Sequence, residues 1–128
     1  MNPTRYLTLE QLLIVAENAI GAKPLLREPG LLASAAERPA TALFGAEQYP
    51  TLLDKAAALM HSIARFHPLI DGNKRLAWLA AYTFLVINNA KVLADNDQVF
   101  DLTMAVADGR LSEVSDIAGA LKPLVEVP

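Results

Sequence analysis

Leu76 to Ile87 reads LAWLAAYTFLVI, twelve residues without a charge. As a helix this run reaches about 18 Å, well short of the roughly 30 Å hydrocarbon core of a bilayer. It is therefore expected to be a helix buried on all sides within protein. Such a helix needs a sheath, and 128 residues suffice for one domain, 1–128. A chain of that size buries roughly two thirds of its unfolded surface. With 53% hydrophobic and 20% charged residues, the composition is that of a compact chain rather than a disordered one.

The rest of the sequence supplies the sheath as further helices. Thr8 caps a first helix, Gln11 completes a capping box, Leu9, Leu12, Leu13, Ala16 and Ile20 mark one face, and Gly21 stops it. Pro29 and Pro39 bracket a short second helix. ATALFGAEQY, between Pro39 and Pro50, is irregular and reads as a loop or a small hairpin, either a hydrophobic loop pinned to the core or one wall of a groove. Thr51 caps a third helix carrying Leu52, Ala56, Met60 and Ile63 on one face, and Pro68 ends it. The fourth starts after Asn73 and runs to about Asn88. NNAKVLADND is a turn with a short extended piece, QVFDLTMAVADG a fifth helix ended by Gly109, and Ser112 the cap of a sixth with Val114, Ile117, Ala118 and Leu121 inward. The expected architecture is an all-α bundle of about six helices.

Charge and composition narrow the function. With no cysteine, disulfides and thiolate metal sites are excluded. The opening MNPTRYLTLEQLL lacks the order of a secretory signal, so a cytoplasmic location is expected, with no membrane partner. A net charge of −3 argues against direct nucleic-acid binding, which needs a basic face. After Lys91 the chain carries seven acids and two bases, whereas Arg65, Lys74 and Arg75 cluster around FHPLIDGNKR, residues 66–75.

That stretch sets two cations where a helix begins, the end at which the macrodipole disfavours them by roughly 0.3 to 1 kcal/mol each. A bound anion accounts for them, because the free N–H groups of a helix amino terminus already form an anion site. His67, at the preceding helix end, is placed to take a proton from a hydroxyl beside a phosphate. Asp71 offers a hard oxygen for Mg²⁺ and Gly72 allows close backbone approach. Asn73 is suited to fixing the loop through backbone groups, and Lys74 and Arg75 to neutralising charge that builds during phosphoryl transfer. Taken singly, each residue has an ordinary reading: a terminal cation, a turn, solvated surface. Their joint order carries the inference.

HPLIDGNKR resembles the core motif of the Fic/Doc family, roughly His-Pro-Phe-x-Asp/Glu-Gly-Asn-Gly/Lys-Arg, and the likeness extends from LREPGLLASA through FGAEQYPTLLDKAAAL to the end. Lys74 stands where adenylylating Fic proteins usually have Gly, and Trp78 where they have a second Arg, so the chain is most similar to the Doc branch. Leu69 departs from the family's aromatic, a core-filling change expected to matter little for catalysis.

The resemblance implies the toxin of a toxin–antitoxin module, an ATP-dependent kinase acting on a hydroxyl of elongation factor Tu. His67 would be the base, Asp71 the Mg²⁺ ligand, and Gly72, Asn73, Lys74 and Arg75 the ATP phosphate site, with Lys74 and Arg75 also catalytic. No inhibitory Ser/Thr-x-x-x-Glu-Gly/Asn motif is present in the chain, so inhibition is expected from a Phd-type antitoxin that folds to a helix on the toxin. The alternatives are a protein adenylyltransferase of the same fold and a catalytically silent module that keeps the phosphate nest for docking.

Overall fold

Three helices begin with the same device. In the structure, a computed structural model that describes residues 3–128, Thr8, Thr51 and Asp95 each form a capping box, with Gln11, Asp54 and Gln98 respectively. Each box satisfies two backbone donors at a helix start. They open α1 (Leu9–Ile20), α3 (Leu52–Phe66) and α5 (Asn96–Ala107). Between them lie α2 (Pro29–Glu37), with Pro29 in its first turn, α4 (Asn73–Ile87) and α6 (Val114–Leu121). Among the described residues the other regular elements are two single-turn 3₁₀ segments and four two-residue strands, so the helical bundle expected from the sequence is what forms. Met1 and Asn2 of the expected 1–128 domain lie outside the described residues.

At the centre, α3 packs against α4, α6 lies on α3, and α1 lies on α4. Alanines make this close: Ala56, Ala57, Ala64, Ala77, Ala80 and Ala81 are all buried, and small side chains let helix axes approach toward the lower end of the usual 8–10 Å. Leu12, Leu32, Met60, Ile63, Leu76, Phe84, Ile117 and Leu121 fill the remaining space in one cluster. No helix among the described residues is long and apolar enough to cross a membrane.

The structure corrects several local expectations. The apolar run in α4 is not buried on all sides: Leu76, Ala77, Ala80, Ala81, Phe84 and Leu85 are covered, but Tyr82 and Val86 are exposed and Trp78 half-buried, with the Trp78 and Tyr82 rings 6.2 Å apart. One stripe of the helix therefore faces outward, because the other five helices do not encircle it. α5 starts at Asn96 rather than Gln98, since Asp95 supplies the cap. Glu113, not Ser112, is the residue before α6, and its side chain makes no cap bond.

The irregular stretch after Pro39 is a hairpin: β1 (Ala42–Leu43) pairs antiparallel with β2 (Ala46–Glu47). Its loop is Phe44-Gly45, with φ of 52° and 80°. Positive φ at both loop positions is the turn whose twist suits a two-residue hairpin. Leu43 is 51% exposed and Phe44 fully exposed, which overturns the reading of this segment as a loop pinned into the core. What holds the hairpin is polar. Lys55, 2% exposed on α3, donates from Nζ to Glu47 Oε1 at 3.0 Å and to the Tyr49 carbonyl. The short piece expected near Lys91 is β3 (Lys91–Val92), which pairs with β4 (Val125–Glu126) and ties the chain end to the turn after α4.

Candidate active site

Unlike α1, α3 and α5, α4 begins with no side-chain cap. Gly72 is its N-cap at φ 91°, and Leu76 N–H is the first to bond back, to the Gly72 carbonyl at 2.9 Å. The amides of Asn73, Lys74 and Arg75 are therefore without intrahelical partners, and no acid occupies the first turn to offset the dipole. Lys74 and Arg75 are exposed and form no ion pair among the described residues, and neither does Asp71. This is an anion cradle carrying two cations that nothing in the described chain neutralises.

Asn73 is turned back into the loop. Its Oδ1 accepts from Leu69 N–H and its Nδ2 donates to the Leu69 carbonyl, both at 2.9 Å. The side chain is thus committed to holding the connection between α3 and α4, as its type led one to expect, and its backbone N–H is what remains for an anion. Leu69 is 1% exposed, the core-filling position foreseen for it. The requirement for glycine at 72 has a cause the sequence did not disclose. A Cβ there would lie 2.8 Å from Ile20 Cγ1, so the end of α1 packs onto the loop at a place only glycine can occupy.

His67 ends α3 in the left-handed conformation, φ 52° and ψ 64°, with an exposed side chain. His, Asn and Asp adopt this region more readily than other side chains, yet it still costs energy. Two groups unsuspected from sequence support it. Arg27 donates from Nε to the His67 carbonyl at 2.8 Å and from Nη2 to the Phe66 carbonyl at 2.7 Å. Its neighbours zip onto the loop: Arg27 N–H bonds the Pro68 carbonyl at 2.8 Å, Ile70 N–H the Leu25 carbonyl at 3.0 Å, and Leu26 bridges to Leu69. A basic residue far from the motif was invisible as a partner, because only tertiary contact brings it there.

Arg65, counted with the motif's cations, belongs elsewhere. Its Nη1 donates to the Ala107 carbonyl at 2.9 Å and packs beside Gly109, closing the end of α5. The second histidine lies in a separate network. Arg38 Nη1 donates to His61 Nδ1 at 2.8 Å and to Ser62 Oγ at 3.0 Å, while its Nε reaches the Tyr49 hydroxyl at 2.9 Å. Since arginine only donates, Nδ1 must be bare and the proton must sit on Nε2. Burial, then the Arg38 and Arg65 charges, hold the His61 pKa below its usual 6.5.

The residues fit a nucleotide in part by their donors. Three open amides, Lys74 and Arg75 suit phosphate oxygens. The described residues contain no cluster of three acids, histidines or cysteines able to cage a metal ion, so Asp71 would supply the one carboxylate and Mg²⁺ would take its other ligands from phosphates and water.

The Fic/DOC family model matches residues 3–85, which contain α1 through most of α4 and the whole candidate site. The protein Toxin Doc of Mycolicibacterium smegmatis is 49% identical over 94 residues, covering 73% of this chain and 72% of that protein. The chain belongs to the Fic/DOC family, in its Doc branch.

Proposed function

We propose that this protein is the toxin of a toxin–antitoxin module, a kinase that passes the γ-phosphoryl group of ATP to a Ser/Thr hydroxyl of elongation factor Tu and so arrests translation, opposed by a Phd-type antitoxin. The observation that carries the reading is the uncapped start of α4, where three amides, Lys74 and Arg75 lie unpaired beside the loop that His67 begins. His67 accepts the hydroxyl proton as that oxygen forms its bond to phosphorus. Lys74, Arg75 and the amides of 73–75 stabilise the charge on the phosphate oxygens as the bond to the leaving diphosphate breaks. ATP supplies the transferable group, and Asp71 would hold the Mg²⁺ ion that accompanies it and offsets the phosphate charge. The likeness to a protein named Toxin Doc supports the toxin role, and with it an antitoxin partner.

Lys74 favours phosphoryl over adenylyl transfer. Its long side chain occupies space that a glycine would leave to a diphosphate, and it offers one point charge to one transferred group. Trp78, half-buried and tilted against the Tyr82 ring, leaves no arginine at the other distinguishing position.

Incubation of the protein and elongation factor Tu with α- or γ-labelled ATP tests this. Label from γ alone is expected. Label from α means adenylylation, and label from neither, with a protein that arrests growth when expressed, overturns the nucleotide reading.

A further inference from the structure

We infer that Arg27 is a positioning residue for His67: its forked guanidinium holds the carbonyls of Phe66 and His67 and so keeps the histidine in its left-handed turn. The inference rests on the reading of His67 as the base, but its structural half stands on geometry alone.

The last carbonyls of a helix have no intrahelical donors. A glycine at the end usually solves this by turning left-handed and offering the next amides back. Here the turning residue is a histidine, and Pro68 follows it with no N–H to give. α3 accordingly records no backbone capping bond at its end, whereas α1 closes with Gly21 N–H on the Glu17 carbonyl at 2.8 Å. Arg27 fills the deficit from another segment. Nε and Nη2 form the two prongs of a planar fork, at 2.8 and 2.7 Å, on carbonyls of consecutive residues. Binding both fixes the two peptide planes that flank His67, 66–67 and 67–68, and with them the direction in which the imidazole leaves the chain. The fork is itself braced, since Arg27 N–H is bonded to the Pro68 carbonyl and Leu26 bridges Leu69. Glu28, 3.7 Å from Nη1, approaches the remaining nitrogen, on a side chain that is 64% exposed.

A fork on two carbonyls is chemistry that lysine cannot copy, because an ammonium presents a point charge without a fixed plane. Arg27→Met removes both bonds, and Arg27→Lys keeps the charge and at most one of them.

The test uses the full chain and two independent readouts. The first needs no ATP: backbone carbon and proton chemical shifts of His67, which report its φ and ψ, in wild type, Arg27→Met and Arg27→Lys. The second is steady-state γ-label transfer. In Arg27→Met the His67 shifts are expected to leave the left-handed range, with those of α1 and α6 unchanged. kcat should fall by roughly 10²-fold, the scale of a misplaced catalytic group, while KM for ATP stays within about twofold. Arg27→Lys should lie between, and if Arg27→Met does not fold, it decides by the same shift criterion. Left-handed shifts retained in the variant overturn the inference, as does a loss confined to KM. If the wild type transfers no label, the reading of His67 as base fails and the shifts alone decide the role of Arg27.

Discussion

Asn73 holds Leu69 by both backbone groups, accepting from its N–H and donating to its carbonyl at 2.9 Å. One amide thereby closes the loop that joins the two central helices. Each bond contributes about 1 kcal/mol, and leaving the buried Leu69 groups unpaired costs more. Asn73→Ala should destabilise by about 2 to 3 kcal/mol in chemical denaturation. Asn73→Asp keeps the acceptor for the Leu69 N–H and adds a charge favourable to the helix dipole by roughly 0.3 to 1 kcal/mol, but it cannot donate and sets a carboxylate oxygen against the Leu69 carbonyl, so it too should be less stable than wild type. It should also bind ATP less well than the Ala variant in calorimetry, since a negative charge at the first helical position lies beside the backbone amides of 73–75 that would receive the phosphates. Equal ATP affinity in the two variants would show that the phosphates lie elsewhere.

His67 gives a second separation of stability from chemistry. Its left-handed backbone is strained for any residue with a Cβ and unstrained for glycine. His67→Gly should therefore raise stability by about 0.5 to 1 kcal/mol, and His67→Ala should leave it unchanged or slightly lowered. Both should lose the roughly 10² to 10⁴ in rate that a general base contributes. Thermal melts beside the γ-label assay check this. A His67→Ala protein that still arrests growth when well expressed would refute the assignment.

The helices were legible because their signals are local. Thr8 with Gln11, Thr51, and Gly21 and Gly109 at helix ends act within one turn of the residues they affect. The motif was legible for the same reason, with Asn73 foreseen as a loop clamp because its partner is four residues away. What was missed depends on contact across the chain. Arg27 meets His67 from forty residues upstream, Ile20 demands the glycine at 72, and Arg65 turns from the motif to α5. The open stripe on α4 was hidden because an apolar sequence does not say how many neighbours a helix will have.

Lys55 shows how the hairpin depends on a buried charge. Its ammonium is 2% exposed and satisfied by Glu47 and the Tyr49 carbonyl. Removing Glu47 leaves that charge short of its counterion, whereas Lys55→Met removes the charge and keeps most of the volume. Because the Glu47 side chain is 53% exposed, water replaces part of what is lost. Glu47→Ala should cost about 1 to 2 kcal/mol, below the range for a fully buried pair, and more than Lys55→Met. Both should speed hydrogen exchange at Gln48, whose amide bonds the Thr41 carbonyl across the hairpin. A Lys55→Met variant less stable than Glu47→Ala would contradict this account of the tether.

His61 makes stability depend on pH. Burial first, then Arg38 and Arg65, lower its pKa in the folded state, while the Ser112 backbone and Glu113 oppose the shift weakly. The unfolded chain therefore takes up a proton at a higher pH than the folded one. The contribution is fully present above the ordinary value of 6.5 and is lost as pH falls from there through the lower folded value. Denaturation midpoints should drop below about pH 6.5 in wild type, and this component of the slope should vanish in His61→Gln, where an amide oxygen can still accept from Arg38. An unchanged slope in that variant would place the titrating group elsewhere.

The hairpin tip carries the last prediction. Phe44 is fully exposed and in a left-handed conformation that costs a residue with its bulk about 1 to 2 kcal/mol. Leu43 beside it is half exposed, so neither side chain stabilises the core. Replacing both with Asp removes apolar surface from water and puts a short polar residue, more tolerant of positive φ, at position 44. Leu43→Asp plus Phe44→Asp should therefore leave the thermal midpoint unchanged or raise it. If the two side chains form one wall of the groove that receives the antitoxin's apolar helix, the same variant should bind antitoxin at least tenfold more weakly, the equivalent of about 1.4 kcal/mol for two lost apolar contacts. Titration of the labelled antitoxin segment against both proteins decides it. A stable variant with undiminished affinity would remove the hairpin from the antitoxin interface.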